Sequence, residues 1–196
     1  STLNEKTLLI NTYLGAGRLP DRLVQSINPK YKNGPWIAGG AARCLWQNKP
    51  INDVDIWCAD NIQIMDLVNR LKSAGAVQSF STPNAISFDY HENDRAWKVQ
   101  VIVLDRFTSL EKVLDKFDFT CCQIATNGRG HFYMNEQTKE DLDAYRMRAH
   151  SFRPDGFVER WAKYTMYGFN MPREELAVYF EKLELVWSLG DGRSLY

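Results

Sequence analysis

The chain mixes three patterns: apolar residues spaced three and four apart, short continuous apolar runs, and strict polar–apolar alternation. Each predicts a different element. Helical spacing covers residues 3–14, where Leu8, Leu9, Tyr13 and Leu14 supply apolar contacts, and residues 20–27, with Gly15, Gly17 and Pro20 as breaks. WIAG at 36–39 predicts a short apolar strand ending in glycine, and residues 41–47 have helix-forming composition that Asn48 to Pro50 stop. DVDIWCA at 53–59 begins by alternating acidic and apolar residues, so Asp53 and Asp55 face one way and Val54 and Ile56 the other.

Residues 61–74 form a helix by pattern, with Ile64, Leu67, Val68 and Leu71 on its apolar face and Gly75 as its stop. Strands are predicted at 85–90 and 97–104, joined as a hairpin by the polar HENDRA. Residues 109–117 are helical, and TSLE at 108–111 has the form of a capping box. An apolar stretch at 121–126 precedes a turn at 127–130 and then HFYM. From about Glu140 the chain is mostly helical, interrupted near 154–156 and 170–172, and EELAVYFEKLELVW at 174–187 is an amphipathic helix expected to pack back on the domain. Strands in the middle with helices between and after them predict an α+β or α/β domain followed by helices.

Composition adds mainly exclusions. Lys+Arg and Asp+Glu each total 24, so zero net charge gives no electrostatic argument for a nucleic-acid coat, although a local basic groove stays open. Arg146, Arg148, Arg153, Arg160 and Lys163 are the best candidates for such a groove, with a solvated helical face as the alternative. Cys44, Cys58, Cys121 and Cys122 form no C-x-x-C pair and read as reduced thiols, and the scattered His91, His131 and His150 suggest no zinc site. With no apolar run of membrane-spanning length and no signal-peptide pattern, the expectation is a soluble, cytoplasmic protein with no membrane partner. Of the six tryptophans most are expected in the core, with Trp57 and Trp97 on strands close to the Asp53–Asp55 pair.

That pair belongs to the stretch WIAGGAARCLWQNKPINDVDIW at 36–57. Two carboxylates on one strand face, two positions apart, repel each other, and a divalent cation relieves the repulsion. A glycine pair at a helix start lets phosphates approach free backbone N–H groups at the positive end of the helix dipole. Together the parts suggest phosphoryl transfer. Taken singly, each has a plainer meaning, a turn and a solvated strand face.

The combination resembles the signature of the nucleotidyltransferase superfamily, which includes DNA polymerase beta and the CCA-adding enzymes, carried here by Gly39, Gly40, Asp53, Val54, Asp55 and Ile56. GGAAR at 39–43, DFT at 118–120 within DFTCCQIA, the Asp141–Leu142 pair and ERWAKYTMYGF at 159–169 are similar to the head and neck of CCA-adding enzymes and poly(A) polymerases. The resemblance implies an α+β fold with a polymerase beta-like mixed sheet flanked by helices. It implies a head over 1–140 with N-terminal helices, and a helical neck-like segment over 141–196 packed on it.

It further implies a transferase in which Asp53 and Asp55 bind Mg²⁺ or Mn²⁺ and carry catalysis. Gly39, Gly40, Arg43, Asp118, Arg160 and Lys163 would bind the nucleoside triphosphate. Nucleoside monophosphate would pass to an acceptor hydroxyl, an RNA 3′ end by resemblance, with a small molecule or a protein side chain as other acceptors the fold serves. The departures are Gln100 where a later strand often brings a third carboxylate, RPDGF at 153–157 where an acidic pair followed by an arginine usually reads the incoming base, Cys44 where an acid usually follows the arginine, and Phe117 where a basic residue precedes DFT. Gln100 brings no charge and cannot act as a base. The alternative function is therefore a nucleotide- or RNA-binding regulatory protein that keeps the fold and is impaired in catalysis.

Overall fold

The computed structural model describes residues 4–7, 19–104 and 109–189. Eight strands form one mixed sheet: β1 (Asn4–Thr7), β2 (Trp36–Ala38), β3 (Asp53–Trp57), β4 (Val77–Ser81), β5 (Ala85–Glu92), β6 (Arg95–Ile102), β7 (Ala125–Thr126) and β8 (His131–Met134). Their order is β1-β8-β7-β2-β3-β6-β5-β4. Only the β3–β6 pair among these is parallel. Helices α1 (Asp21–Gln25), α2 (Gly40–Gln47), α3 (Asn61–Ser73), α4 (Leu110–Leu114), α5 (Glu136–Asp143), α6 (Phe157–Met166) and α7 (Arg173–Leu189) complete an α+β architecture.

The centre of the sheet places the glycines beside the aspartates. Strand β2 is fully buried and ends at Gly39, whose φ of 82° opens helix α2. A Cβ on Gly39 would lie 2.8 Å from the Phe117 ring, so both the backbone and the space require glycine there. The chain turns back through Asn48, in the left-handed region at φ 55°, and enters β3 antiparallel to β2. Val54 and Ile56 are wholly buried, which turns Asp53 and Asp55 to the other face, as the alternation predicts.

The two ends of the chain depart from the sequence pattern. Asn4–Thr7, inside the stretch expected to be helical, is strand β1 paired antiparallel with β8, because a waiting sheet edge outweighs local periodicity; residues 8–14 lie outside the described residues. Strand β4 was not expected: all five of its residues are exposed, so no alternation marks it. The cap of α4 is Ser109, which accepts from the Lys112 N–H, while Thr108 of the expected capping box lies outside the described residues. Beyond Glu140 the helical content is less than expected, since residues 144–156 form an irregular crossing tied by bridges Phe119–Ala149 and Arg146–Asn170. The expected boundary at residue 140 falls within α5.

Helices α6 and α7 join the main core. Phe157, Phe169, Tyr179 and Leu183 belong to the same buried cluster as Phe119, Phe132 and Leu142. The Phe157 and Tyr179 rings stack with centroids 4.5 Å apart. Of the apolar residues at 174–187, Tyr179 and Leu183 are buried, whereas Phe180, Val186 and Trp187 stay exposed. No helix among the described residues is long and apolar enough to cross a membrane.

Candidate active site

Asp53 and Asp55 open into a cavity of about 440 Å³, whose lining also includes Gly40, Lys98, Gln100, Asp118, Arg153, Arg160, Lys163 and Tyr164. The fold therefore brings together Gly40, Asp53, Asp55, Asp118, Arg160, Lys163 and Gln100. Asp53 is exposed and Asp55 half-buried. Burial, reinforced by the neighbouring Asp53 charge, pushes the Asp55 carboxyl up to about 6, and Lys163 partly opposes the rise.

A divalent cation beside both carboxylates would remove that penalty, so the donor set fits Mg²⁺. Among the described residues no group of three or more His, Cys, Asp or Glu side chains surrounds a common point. A hard cation here would therefore complete its shell with phosphate oxygens and water. The third-carboxylate position stays neutral: Gln100 pairs in register with Asp55 and donates through Nε2 to the buried Ser87 Oγ at 3.3 Å. Of the two acids close by in sequence, Asp89 is exposed on β5, and Asp105 lies outside the described residues.

The opposite wall is built on Asp118. Its side chain is 3% exposed and accepts from Arg153 at 2.8 and 3.1 Å and from Arg160 Nε at 2.6 Å. Arg160 also donates through its two terminal nitrogens to the Asp155 and Arg153 carbonyls. The Asp118 backbone carbonyl also accepts from His150 and Ser151 N–H groups. Asp118 thus binds the DFT segment to the 144–156 crossing and to α6. In this arrangement Arg160 faces the cavity with each guanidinium nitrogen already donating once, whereas Lys163 is exposed.

Arg43 departs from the expected phosphate position. It is 5% exposed, with its guanidinium 5.0–5.7 Å from the Tyr164, Tyr167 and Phe169 ring centroids. It donates to Gln47 Oε1 at 3.0 Å, and its buried Nε has no hydrogen-bond partner among the described residues. It lines not the main cavity but a neighbouring one of about 130 Å³, shared with Gly40, Asp53 and Lys163. Gly39 sits behind Gly40 as the hinge of the turn, outside the lining.

The basic cluster is largely consumed by two aspartates. Arg146 and Arg148 lie 3.6 and 3.3 Å from wholly buried Asp141, to which Thr120 also donates, and Arg153 and Arg160 serve Asp118. The matching Asp141–Leu142 pair is therefore a structural strut. Trp97 points into the core against Tyr90, away from the carboxylates, and Trp57 packs edge-on to Phe117. Lys98 was missed by sequence reasoning, and the signal was present: its register position opposite Asp53 follows from pairing the two strands. All four cysteines are free thiols, three of them buried.

Solved structures with this fold include a tRNA nucleotidyltransferase complexed with a primer tRNA and an incoming ATP analog, 18% identical with a TM-score of 0.58 over 78% of this chain and 47% of that one. Another is a tRNA-processing enzyme with CTP, 20% identical with a TM-score of 0.57 over 81% of this chain and 46% of that one. A third is a Thermotoga maritima CCA-adding enzyme complexed with tRNA, 15% identical with a TM-score of 0.54 over 78% and 38%. The fold is thus that of nucleotidyltransferase heads. The protein named Gabija anti-defense 2 of Bacillus phage SPbetaL7 is 30% identical over 107 residues, 55% of this chain and 25% of its own length. The chain therefore matches about a quarter of that relative. A family model described as Gabija anti-defense 2 family protein matches residues 16–144, which places this chain in that family.

Proposed function

We propose that the chain is the catalytic head of a Mg²⁺-dependent nucleotidyltransferase, with the 144–156 crossing and α6 forming a neck-like wall of the cleft. The observation that carries the reading is the Asp53–Asp55 pair, turned together into a cavity that also meets the start of α2 at Gly40 and the α6 cation Lys163. The triphosphate tail would lie along the first turn of α2, where backbone N–H groups and the dipole favour anions, with Lys163 beside it. Asp53 and Asp55 would hold the Mg²⁺, which supplies positive charge at the α-phosphate. An acceptor hydroxyl oxygen bonds to the α-phosphorus, the α–β P–O bond breaks, pyrophosphate leaves and the hydroxyl proton passes to water. The acceptor we favour is an RNA 3′ end. The family name gives the reaction a setting, the countering of a Gabija defence.

A second reading is favoured by Gln100 and by Arg160, whose guanidinium nitrogens each already donate within the protein: a nucleotide- or RNA-binding regulator without transfer. Incubation with each α-labelled NTP, Mg²⁺ and total RNA or protein extract separates the two. Wild type should transfer label, and Asp53→Ala/Asp55→Ala should lower the rate by on the order of 10³-fold. Equal labelling by both proteins would remove the site assignment. Binding without labelling by wild type would leave the regulator.

A further inference from the structure

The sheet continues past the carboxylates as a partly open surface, with Ser87 buried beneath its neighbours. Register puts Asp55, Gln100, Ser87 and Phe80 in one cross-strand row and Asp53, Lys98, Asp89 and Val77 in the next, all on one face of β3, β6, β5 and β4. The opposite face carries the wholly buried Val99, Val101, Phe88 and Tyr90. On the carboxylate face, by contrast, Lys98 and Asp89 are exposed, and Phe80 is 47% exposed on the outermost strand.

Phe80 reaches this face through an irregularity. The β4–β5 register shifts between Gln78 and Phe80, so Ser79 is the extra residue and Phe80, rather than Ser79, stands opposite Ser87. The shift costs pairing and turns an aromatic ring into solvent on the side of the carboxylates. The Lys98 Nζ lies 5.1 Å from the centre of that ring.

We propose that these rows are an acceptor track for the 3′ end of a single-stranded RNA. The terminal ribose lies at Asp53 and Asp55, a base further back stacks on Phe80, and Lys98 meets a phosphate between them. This rests on the nucleotidyl-transfer reading of the site. Phe80 stands three strand spacings from Asp55, about 14 Å, which suits contact with a nucleotide behind the terminal one. A ring offers a sequence-tolerant stacking surface, and an ammonium matches a phosphodiester. Asp89 and Gln100 offer hydrogen-bond partners for ribose hydroxyls along the way. A protein strand added to β4 fits worse. The register shift disrupts that edge, and an added strand would sit about 19 Å from the carboxylates.

The test measures anisotropy of a 5′-labelled, 3′-deoxy RNA oligomer, without NTP, across a salt series. Phe80→Ala should weaken binding by about 5- to 150-fold and Phe80→Trp should restore it. Lys98→Ala should weaken binding and reduce the salt slope by about 0.7. Melting curves of each variant exclude unfolding as the cause. Wild type that fails to bind the oligomer, Phe80→Ala that binds like wild type, or label entering protein rather than RNA would each overturn the track. The rise in wild-type Tm with NTP and Mg²⁺ is the reference. If it is present while the RNA result is negative, the track fails and the nucleotide site stands; if it is absent, the nucleotide site itself fails.

Discussion

Asp55 and Asp118 line the same cavity, and the fold treats them in opposite ways. Asp118 is almost wholly buried and is met by two guanidinium groups, one of them through two hydrogen bonds. Asp55 is half-buried, has another carboxylate two residues away and is pushed up to about 6. A buried carboxylate matched by arginines is held for structure. One left beside a like charge stores a cost that a bound cation can release. The contrast separates a carboxylate held by the fold from one left free to take a cation, although the sequence resemblance gives both a functional role, Asp55 at the metal and Asp118 at the nucleotide.

The held carboxylate should show the larger effect on folding. Asp118→Ala removes the joint between the DFT segment, the 144–156 crossing and α6, and should cost about 3 kcal/mol in urea unfolding. A loss below about 1 kcal/mol would break the comparison, because Asp118 would then be as dispensable to the fold as a surface ion-pair partner.

Asp55→Asn should act in the opposite direction. The folded carboxyl binds its proton more tightly than the unfolded chain does, with a pKa of about 6 against 3.8. Its contribution to stability is therefore fully present below about pH 4 and lost as pH rises through about 6. At pH 7–8 the substitution should raise stability by about 1–2 kcal/mol, after allowing for partial solvent screening, and flatten the pH profile between 4 and 6. It should abolish transfer at the same time. A variant less stable than wild type at pH 8 would show that Asp55 is already satisfied without a metal.

The Asp55 half of the contrast was legible in the sequence and the Asp118 half was not. Asp-apolar-Asp-apolar makes a strand with its acids on one face, and a glycine pair before a helix leaves little freedom in where they point. Both are local rules, and β2, α2 and β3 obey them. Arg153 and Arg160 lie 35 and 42 positions from Asp118, and their joining depends on how the 144–156 crossing runs. Arg43 fits the family pattern by position, yet the aromatic residues that enclose it come from α6 and the turn after it. Strand β4 escaped because an exposed edge carries no burial pattern, and β1 because its partner lies more than 120 positions away.

The glycine pair divides along the same line between structure and site. Gly39 has a positive φ and the Phe117 ring where a side chain would go, so Gly39→Ala should cost about 2 kcal/mol. Beyond its chain neighbours and its own helix backbone, Gly40 has no atom of the described residues within 4 Å of where a Cβ would lie, and it lines the cavity. A methyl group there meets nothing in the protein itself, and alanine suits the first turn of a helix. Gly40→Ala should therefore leave the unfolding free energy without nucleotide within about 0.5 kcal/mol of wild type. If the empty space is where the triphosphate lies against the backbone, the added methyl should remove most of the stabilisation that NTP and Mg²⁺ confer, about 2.7 kcal/mol at a ligand concentration 100 times Kd. Undiminished stabilisation of Gly40→Ala would move the phosphates away from α2 and leave the aspartates as the part of the site still standing.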